Sequence, residues 1–395
     1  MNKKITVGVL VALLCITASI TMCITMIFSR RIFNQKVHNI SEMEVMYDKV
    51  SEIDKVIRKH YIGDIDEEVL KDNIAKGFIA GIGDEKNGYY LTAKKYREIK
   101  DIEEGKKVSI GVAVDKDVTG YMKVVEVYDP SLNDKINKGD LIIKINDINV
   151  SLDTYEQCES ALIDSPGTQV SIVARRDSQD IPIEIIRGYT EVQMLTYKQY
   201  EDMGYIKITG FNDATVGQFN KAIRALLKNN VKGIVFDLRN NPGGTIKSVC
   251  AILAPFLPKE QFVTMTTKDG SIKKMNYIGT NKIKPPIVVI INKKSASAAE
   301  LCAQGLRHYS RSKIVGETSQ GKGTMQHIFE LRDGSALNLT IARFQICNSS
   351  DFHGIGIKPD YEVKLSPEQE ANFEILDENT DPQLKKALEV LKSES

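Results

Sequence analysis

Ser297 and Lys322 are the two side chains whose type and setting admit covalent chemistry. Ser297 lies in Ser295-Ala296-Ser297-Ala298-Ala299-Glu300, a run of small residues that opens a helix after the apolar stretch Ile287-Val288-Val289-Ile290-Ile291 and Asn292-Lys293-Lys294. Lys322 follows 25 residues later, in Gln320-Gly321-Lys322-Gly323-Thr324-Met325-Gln326. A serine at such a helix start has free N–H groups and the positive end of the helix dipole beside it, which suits a developing oxyanion. It is also where serine most often does no more than cap a helix. A lysine between glycines is, by itself, a solvated cation. At a reference pKa of about 10.4 only about one molecule in 2,500 is neutral at pH 7. To act as a base it must be lowered by roughly two to three units through desolvation, at a cost of about 3 to 4 kcal/mol. Gln326 is on the same side as Lys322 if the segment is extended and, being neutral, would not raise the lysine's pKa.

A third segment bears on the same chemistry. Gly233 to Leu238 reads as a buried strand running into Arg239-Asn240-Asn241-Pro242-Gly243-Gly244, with a helix expected from Ile246 to Phe256. Proline followed by two glycines lets backbone N–H groups point outward, a cradle for an oxyanion or a phosphate, although the same turn serves packing in many α/β proteins. His308 and His327 offer a different base. Neighbours on a strand face opposite ways, so Gln326 and His327 cannot both address Lys322, and a serine–lysine pair is the preferred assignment. His38, His60 and His353 have no metal-type spacing, and Cys158, Cys250, Cys302 and Cys347 are far apart with no CxxC pair. No metal or other cofactor is expected, and each of these cysteines reads as a small buried residue.

The elements that must position these residues follow from composition and pattern. The chain has 395 residues, 42% of them hydrophobic, no tryptophan and a formal net charge of +1. That is enough for two or three cores and gives no electrostatic reason to expect nucleic acid. Ile5 to Phe28 is an almost unbroken apolar run between Lys3-Lys4 and Arg30-Arg31, long enough to span a bilayer. A signal peptide and an uncleaved anchor both fit residues 1–31. The anchor is preferred, because the small-residue site near Ala18-Ser19 lies inside the run rather than after it. Met43, Met46, Val50, Ile53 and Ile57 form an apolar seam on a helix from about Ser41 to His60. The seam needs a partner, either the following helix (Val69 to Ile82) or a second copy of the chain. A further solvated helix is expected from Thr92 to Ile102.

From about Val108 to Gly188 short β-type runs take over: Ser109 to Val114, Tyr121 to Val127, Asp140 to Ile145 and Gln169 to Ala174, with a helix from Leu152 to Leu162. The loop Ser109-Ile110-Gly111-Val112, the turn Lys138-Gly139-Asp140-Leu141-Ile142 and the entry Gly167-Thr168-Gln169-Val170 resemble a PDZ module. A glycine-bearing loop with free N–H groups can hold a terminal carboxylate, and an open strand edge beside it can pair an extended peptide. Beyond Val192 the pattern becomes α/β. Gly204 to Ile208 is a strand, and Val216, Phe219, Ile223, Leu226 and Leu227 mark one face of a helix capped near Asn212 or Asp213. A later hairpin turns at Asp333-Gly334, with Leu337, Leu339 and Ile341 alternating on its second strand. A final helix opens at Asp381-Pro382, with Leu384, Leu388 and Leu391 on one face, to dock on the core or on a second subunit.

Taken together, from about Ser41 to Leu391, the chain resembles the C-terminal processing, or tail-specific, serine proteases. The resemblance rests on the Asp237 to Gly244 turn, Ser295 to Glu300, Gly321-Lys322-Gly323 with Gln326, and Gly354-Ile355-Gly356-Ile357-Lys358-Pro359-Asp360. It implies Ser297 as nucleophile, Lys322 as general base, Gln326 as the residue that orients the lysine, and the N–H groups of Gly243 and Ala298 as the oxyanion hole. The implied fold is an α/β core of crotonase or Clp-protease type (189–365). An inserted PDZ-like domain (105–188), an N-terminal helical region (41–104), a transmembrane helix and a helical tail (366–395) complete it. The expected partners are extracytoplasmic protein substrates with accessible C-terminal tails, a bacterial membrane through residues 5–28, and a second copy in a homodimer. Two other readings stay open: a non-catalytic scaffold that holds peptide tails, and a crotonase-type enzyme acting on thioesters.

Overall fold

The computed structural model describes residues 7–84 and 87–394, and the chain divides into two compact units, one ending at Lys71 and one running from Asp72. Lys3, Lys4 and Ile5 lie outside the described residues, as do the side chains of Arg30, Arg31 and Met43. In the first unit the apolar run and the seam are one continuous helix, α1 (Val7–His60). Within it, Ala12–Ser29 has a mean hydropathy of 2.1 and is long and apolar enough to cross a membrane. The hydroxyls of Thr17, Thr21 and Thr25 donate to carbonyls one turn back, so these polar groups are satisfied inside the helix. Met46, Val50 and Ile53 of the seam are exposed. Arg58 binds both Asp54 (2.8 Å) and Glu67 (2.6 Å), closing the turn from α1 into α2 (Glu67–Ala80).

The second unit begins with β1 (Tyr89–Leu91) and α3 (Ala93–Glu103), the latter capped by the Thr92 hydroxyl. The β-rich segment then comprises β2 (Lys106–Ser109), β3 (Val112–Lys116), β4 (Met122–Val127), β5 (Leu141–Ile145), β6 (Ile148–Asn149), α4 (Tyr155–Leu162), β7 (Gln169–Arg176) and β8 (Gln179–Ile186). The sheet runs β3-β4-β5-β7-β8, with β6 on β5. Its core of Met122, Val124, Ile142, Ile145, Cys158 and Ile172 is fully buried. Asp140 is buried too, satisfied by Arg176 at 2.8 Å and the Asn137 N–H, which explains the charged residue at this turn. The chain leaves through β9 (Gly188–Glu191), which pairs antiparallel with β2, so the segment is joined to the rest by a two-stranded neck. The expected strand Ser109–Val114 is in fact two strands, broken at Ile110-Gly111. Pro182 obscured β8, an edge strand where a missing N–H is tolerated.

The remaining chain builds a six-stranded sheet and most of a second, five-stranded one. Its elements are β10 (Leu195–Tyr200), β11 (Met203–Ile208), α5 (Asp213–Lys228), β12 (Gly233–Asp237), α6 (Ile246–Leu253), β13 (Val263–Thr267), β14 (Ile272–Lys274), β15 (Ile287–Ile291), α7 (Ala298–Ser310), β16 (Lys313–Gly316), β17 (Thr324–Glu330), β18 (Ala336–Ile346), β19 (Tyr361–Glu362), α8 (Pro367–Ala371) and α9 (Pro382–Glu394). The order is β10-β11-β12-β15-β16-β19, and β11, β12, β15, β16 and β19 are parallel. Every residue of β12 and β15 is buried, because helices cover both faces. Ile234, Phe236, Val289 and Ile291 face α5, α6 and α7, while Val235, Val288 and Ile290 face α9. The C-terminal helix therefore docks on the core of its own chain. A second sheet, β1-β18-β13-β14 with β17 on β18, carries the hairpin. On β18 the buried side is Ala336, Asn338, Ala342, Phe344 and Ile346, whereas Leu337, Leu339 and Ile341 are half-buried.

Candidate active site

Ser297 is the N-cap of α7 with φ 55° and ψ −114°, a backbone conformation costing of order 1–3 kcal/mol for a residue with a side chain. Contacts on both sides enforce it. Before it, the Ala296 N–H donates to Asn241 O (2.9 Å), and the Ser295 hydroxyl donates to Leu238 O (2.8 Å). After it, the Ser297 N–H donates to the Glu300 carboxylate at 2.8 Å. Ser295 is thus a structural serine that pins the turn to the end of β12.

Glu300 is fully buried, and its carboxylate collects more than the nucleophile turn. It also accepts the N–H of Lys322 (2.7 Å), the N–H of Gly321 (2.6 Å) and the Ser319 hydroxyl (2.5 Å). One buried anion therefore ties the backbone of Ser297 to that of Lys322, and those four donors offset the cost of burying it. In sequence Glu300 stands only as the third helical residue after a serine, the spacing of an ordinary capping box. Its reach to residues 319–322 has no sequence signal.

Lys322 and Ser297 line one groove of about 700 Å³. Burial holds the Lys322 ammonium below its usual range, and the Asp84 carboxylate works in the opposite direction. Ile246, Met275, Tyr277, Met325 and Phe344 give the groove apolar walls, while Lys100, Glu103, Asp213 and Lys247 also line it. Gln326 is in the same groove, and its amide donates to Thr324 Oγ1 (3.0 Å) and Thr340 Oγ1 (3.2 Å). His327 lines the groove as well, its ring edge-on to Phe329 at 4.6 Å. Simple alternation is interrupted here, because β17 carries a bulge between Met325 and Gln326. His308 packs against Tyr309 on α7.

The Asp237–Gly244 turn lies directly against the serine. Gly243 has φ 108°, and a methyl group there would stand 2.9 Å from Ser297 Cβ and 3.0 Å from the Ala298 nitrogen. At Gly244 it would meet Phe211 O at 2.0 Å, so both positions require glycine. The Gly243 N–H donates to Asn241 Oδ1 at 2.8 Å, and Asn241, fully buried, also donates to Ile208 O. Using the Gly243 N–H for an oxyanion requires that bond to be released. Ala298 N–H, at the start of α7, faces the same turn.

The β-rich segment places Ser109, Ile110, Gly111 and Val112 at the head of β3. The Gly111 N–H donates to Ser109 Oγ (2.8 Å), and Gly111 O accepts from Tyr128 and Asp129. Ile110 and Val112 are buried. Among the described residues β3 pairs only with β4, leaving its other edge open. The Lys116 ammonium sits 4.9 Å over the Tyr155 ring at the start of α4. Cys158, Cys250, Cys302 and Cys347 are free and buried, as expected of small core residues.

An α/β sheet with a strained serine at a strand-to-helix turn, and a desolvated lysine in the same groove, has the parts of a hydrolase working by acyl transfer. The profile of peptidase family S41 matches residues 202–363. Carboxy-terminal processing protease CtpB of Bacillus subtilis is 30% identical over 341 residues, covering 82% of this chain and 69% of the relative. CtpA of the same organism is also 30% identical, over 89% of this chain and 76% of its own. A solved structure from Bacteroides fragilis, described as an S41 protease, has a TM-score of 0.51 at 16% identity and covers 87% of this chain and 97% of that one, a likeness of fold alone. The chain belongs to the S41 peptidases, among the carboxy-terminal processing proteases.

Proposed function

We propose that this protein is a serine endopeptidase that cleaves extracytoplasmic protein substrates near their C-termini, with Ser297 as nucleophile and Lys322 as base. The observation that carries this reading is the sharing of Glu300 by the Ser297 and Lys322 backbones beside one groove. Neutral Lys322 takes the Ser297 proton as Oγ attacks the scissile carbonyl, and the oxyanion is held by Ala298 N–H and by Gly243 N–H once it leaves Asn241. The lysine then gives that proton to the leaving amine, and later activates the water that releases the acyl group. Gln326 orients Lys322 when its amide turns from the two threonines. The apolar side chains that share the groove with Ser297 favour apolar residues near the scissile bond.

In this reading residues 105–188 form a PDZ-like module that receives the substrate's terminal carboxylate at Ser109–Val112 and pairs its tail with the open edge of β3. Residues 189–365 are the crotonase-like catalytic core, 41–104 the helical region and 366–395 the tail. Ala12–Ser29 anchors the protein in the membrane as a single span, and the exposed seam of Met46, Val50 and Ile53 fits a homodimer. Ser297→Ala and Lys322→Ala are expected to abolish cleavage of a substrate with an unstructured apolar tail. A sulfonylating reagent should label Ser297 in the wild-type protein. Cleavage at the wild-type rate by either variant rejects the mechanism, and absence of labelling favours a tail-holding scaffold.

A further inference from the structure

A buried ionic cluster links the C-terminal helix to the turn that faces Ser297. Asp381, immediately before α9, presents its carboxylate to the Arg239 guanidinium at 2.7 Å, and the Gln383 side-chain oxygen accepts from the same group at 2.9 Å. Arg239 also binds Asp237 at 2.6 Å, and Asp237 accepts from the Tyr205 hydroxyl at 2.8 Å. Asp237, Arg239, Asp381 and Gln383 are each at most 3% exposed, and the Phe373 ring covers the guanidinium at 4.7 Å. Two carboxylates share one cation. The second is balanced by the start of α9, where the N–H groups of Gln383 and Leu384 both donate to Asp381 at 3.0 Å.

Attachment of the helix does not require this arrangement. Leu384, Ala387, Val390 and Leu391 already pack on Tyr205, Val235, Val288 and Ile290, and buried ion clusters of this kind add little stability over apolar contacts. What the cluster does fix is Arg239, the residue from which the turn departs. Asn240 exchanges two hydrogen bonds with Asn292 (3.0 and 2.8 Å), and Asn241 O accepts from Ala296, one residue before the serine. Gly243 then lies against Ser297 itself.

We infer that Asp381 and Gln383 are positioning residues for catalysis: by holding Arg239 they set the 240–243 backbone against the 292–298 turn, so the α9 entrance is part of the working site. This rests on Ser297 being the nucleophile. The test uses the full chain carrying Asp381→Asn, with Gln383→Met as a second variant that keeps the ion pairs and Val390→Ala as a packing control. Melting temperature, kcat and KM on one peptide, and the rate of Ser297 sulfonylation are measured well below unfolding. A misplaced turn should cut kcat and the labelling rate of Asp381→Asn by about 10²-fold, with KM shifted far less, and Gln383→Met by a smaller factor. Asp381→Glu should recover part of the loss. Val390→Ala should lower the melting temperature and leave kcat unchanged. Wild-type kcat in folded Asp381→Asn, or in Gln383→Met should Asp381→Asn not fold, overturns the inference, as does an equal kcat loss in Val390→Ala. Wild-type cleavage by Ser297→Ala would instead reject the nucleophile.

Discussion

Glu300 concentrates more of the site's geometry than either reactive side chain. Glu300→Gln keeps the shape but replaces one acceptor oxygen with an NH2 that faces backbone donors. Loss of two charge-assisted bonds at about 1.5–3 kcal/mol each predicts a destabilisation of about 3–6 kcal/mol, measurable by urea unfolding, together with near-complete loss of activity. Lys322 yields a second prediction. On the proposed mechanism its base form is needed, so kcat/KM should rise with pH through a lysine pKa set below its usual value by burial, and Asp84→Asn should move that limb to lower pH. Stability has the matching sign. Between the folded pKa of Lys322 and about 10.4 the unfolded chain binds more protons, so this residue's penalty falls as pH rises through that window. Lys322→Met should therefore be inactive yet melt higher than wild type at pH 7, with the difference closing toward pH 10. Ser297 and Lys322 stand out in the sequence through local signals (a strand, small residues and glycines), and the structure brings both to one groove. The role of Glu300 was not legible there, since a capping box accounts for its position without the loop 21 residues away.

At the scale of elements, the all-buried strands β12 and β15 and the Asn212 cap of α5 follow from apolar runs and turn residues, whereas the polar strands of the β2–β9 neck carry no such signal. Strand β18 shows where such signals fail. Its alternating aliphatic residues, Leu337, Leu339 and Ile341, are half-buried, and the core side holds Ala336, Asn338, Ala342, Phe344 and Ile346. The inward side includes small residues and an asparagine that donates to Asn87 O, which an alternation of aliphatic residues does not mark. Phe344→Ala should accordingly cost about 3–5 kcal/mol in chemical denaturation. Leu339→Ala, on the half-covered face, should cost about 1 kcal/mol or less.

For the whole molecule, the pairing of Ser109 with Gly188 across the β2–β9 neck makes the intervening segment separable. Replacing residues 110–187 by a two-residue Asn-Gly turn should leave a folded core that labels at Ser297. The same excision should remove any preference for a substrate with a free terminal carboxylate over its amide. A retained preference would place tail reading elsewhere. The ionic link between Arg239 and Asp381 spans 142 residues of sequence, and no local pattern could have announced it. Because the loops bearing the serine and the lysine are tied to one buried carboxylate, drawing them apart would break charge-assisted bonds at that carboxylate. The groups left free to change are the lysine side chain, the Gln326 amide and the bond between Asn241 and Gly243. Control of this site would be exerted through one proton and a few hydrogen bonds rather than through a hinge.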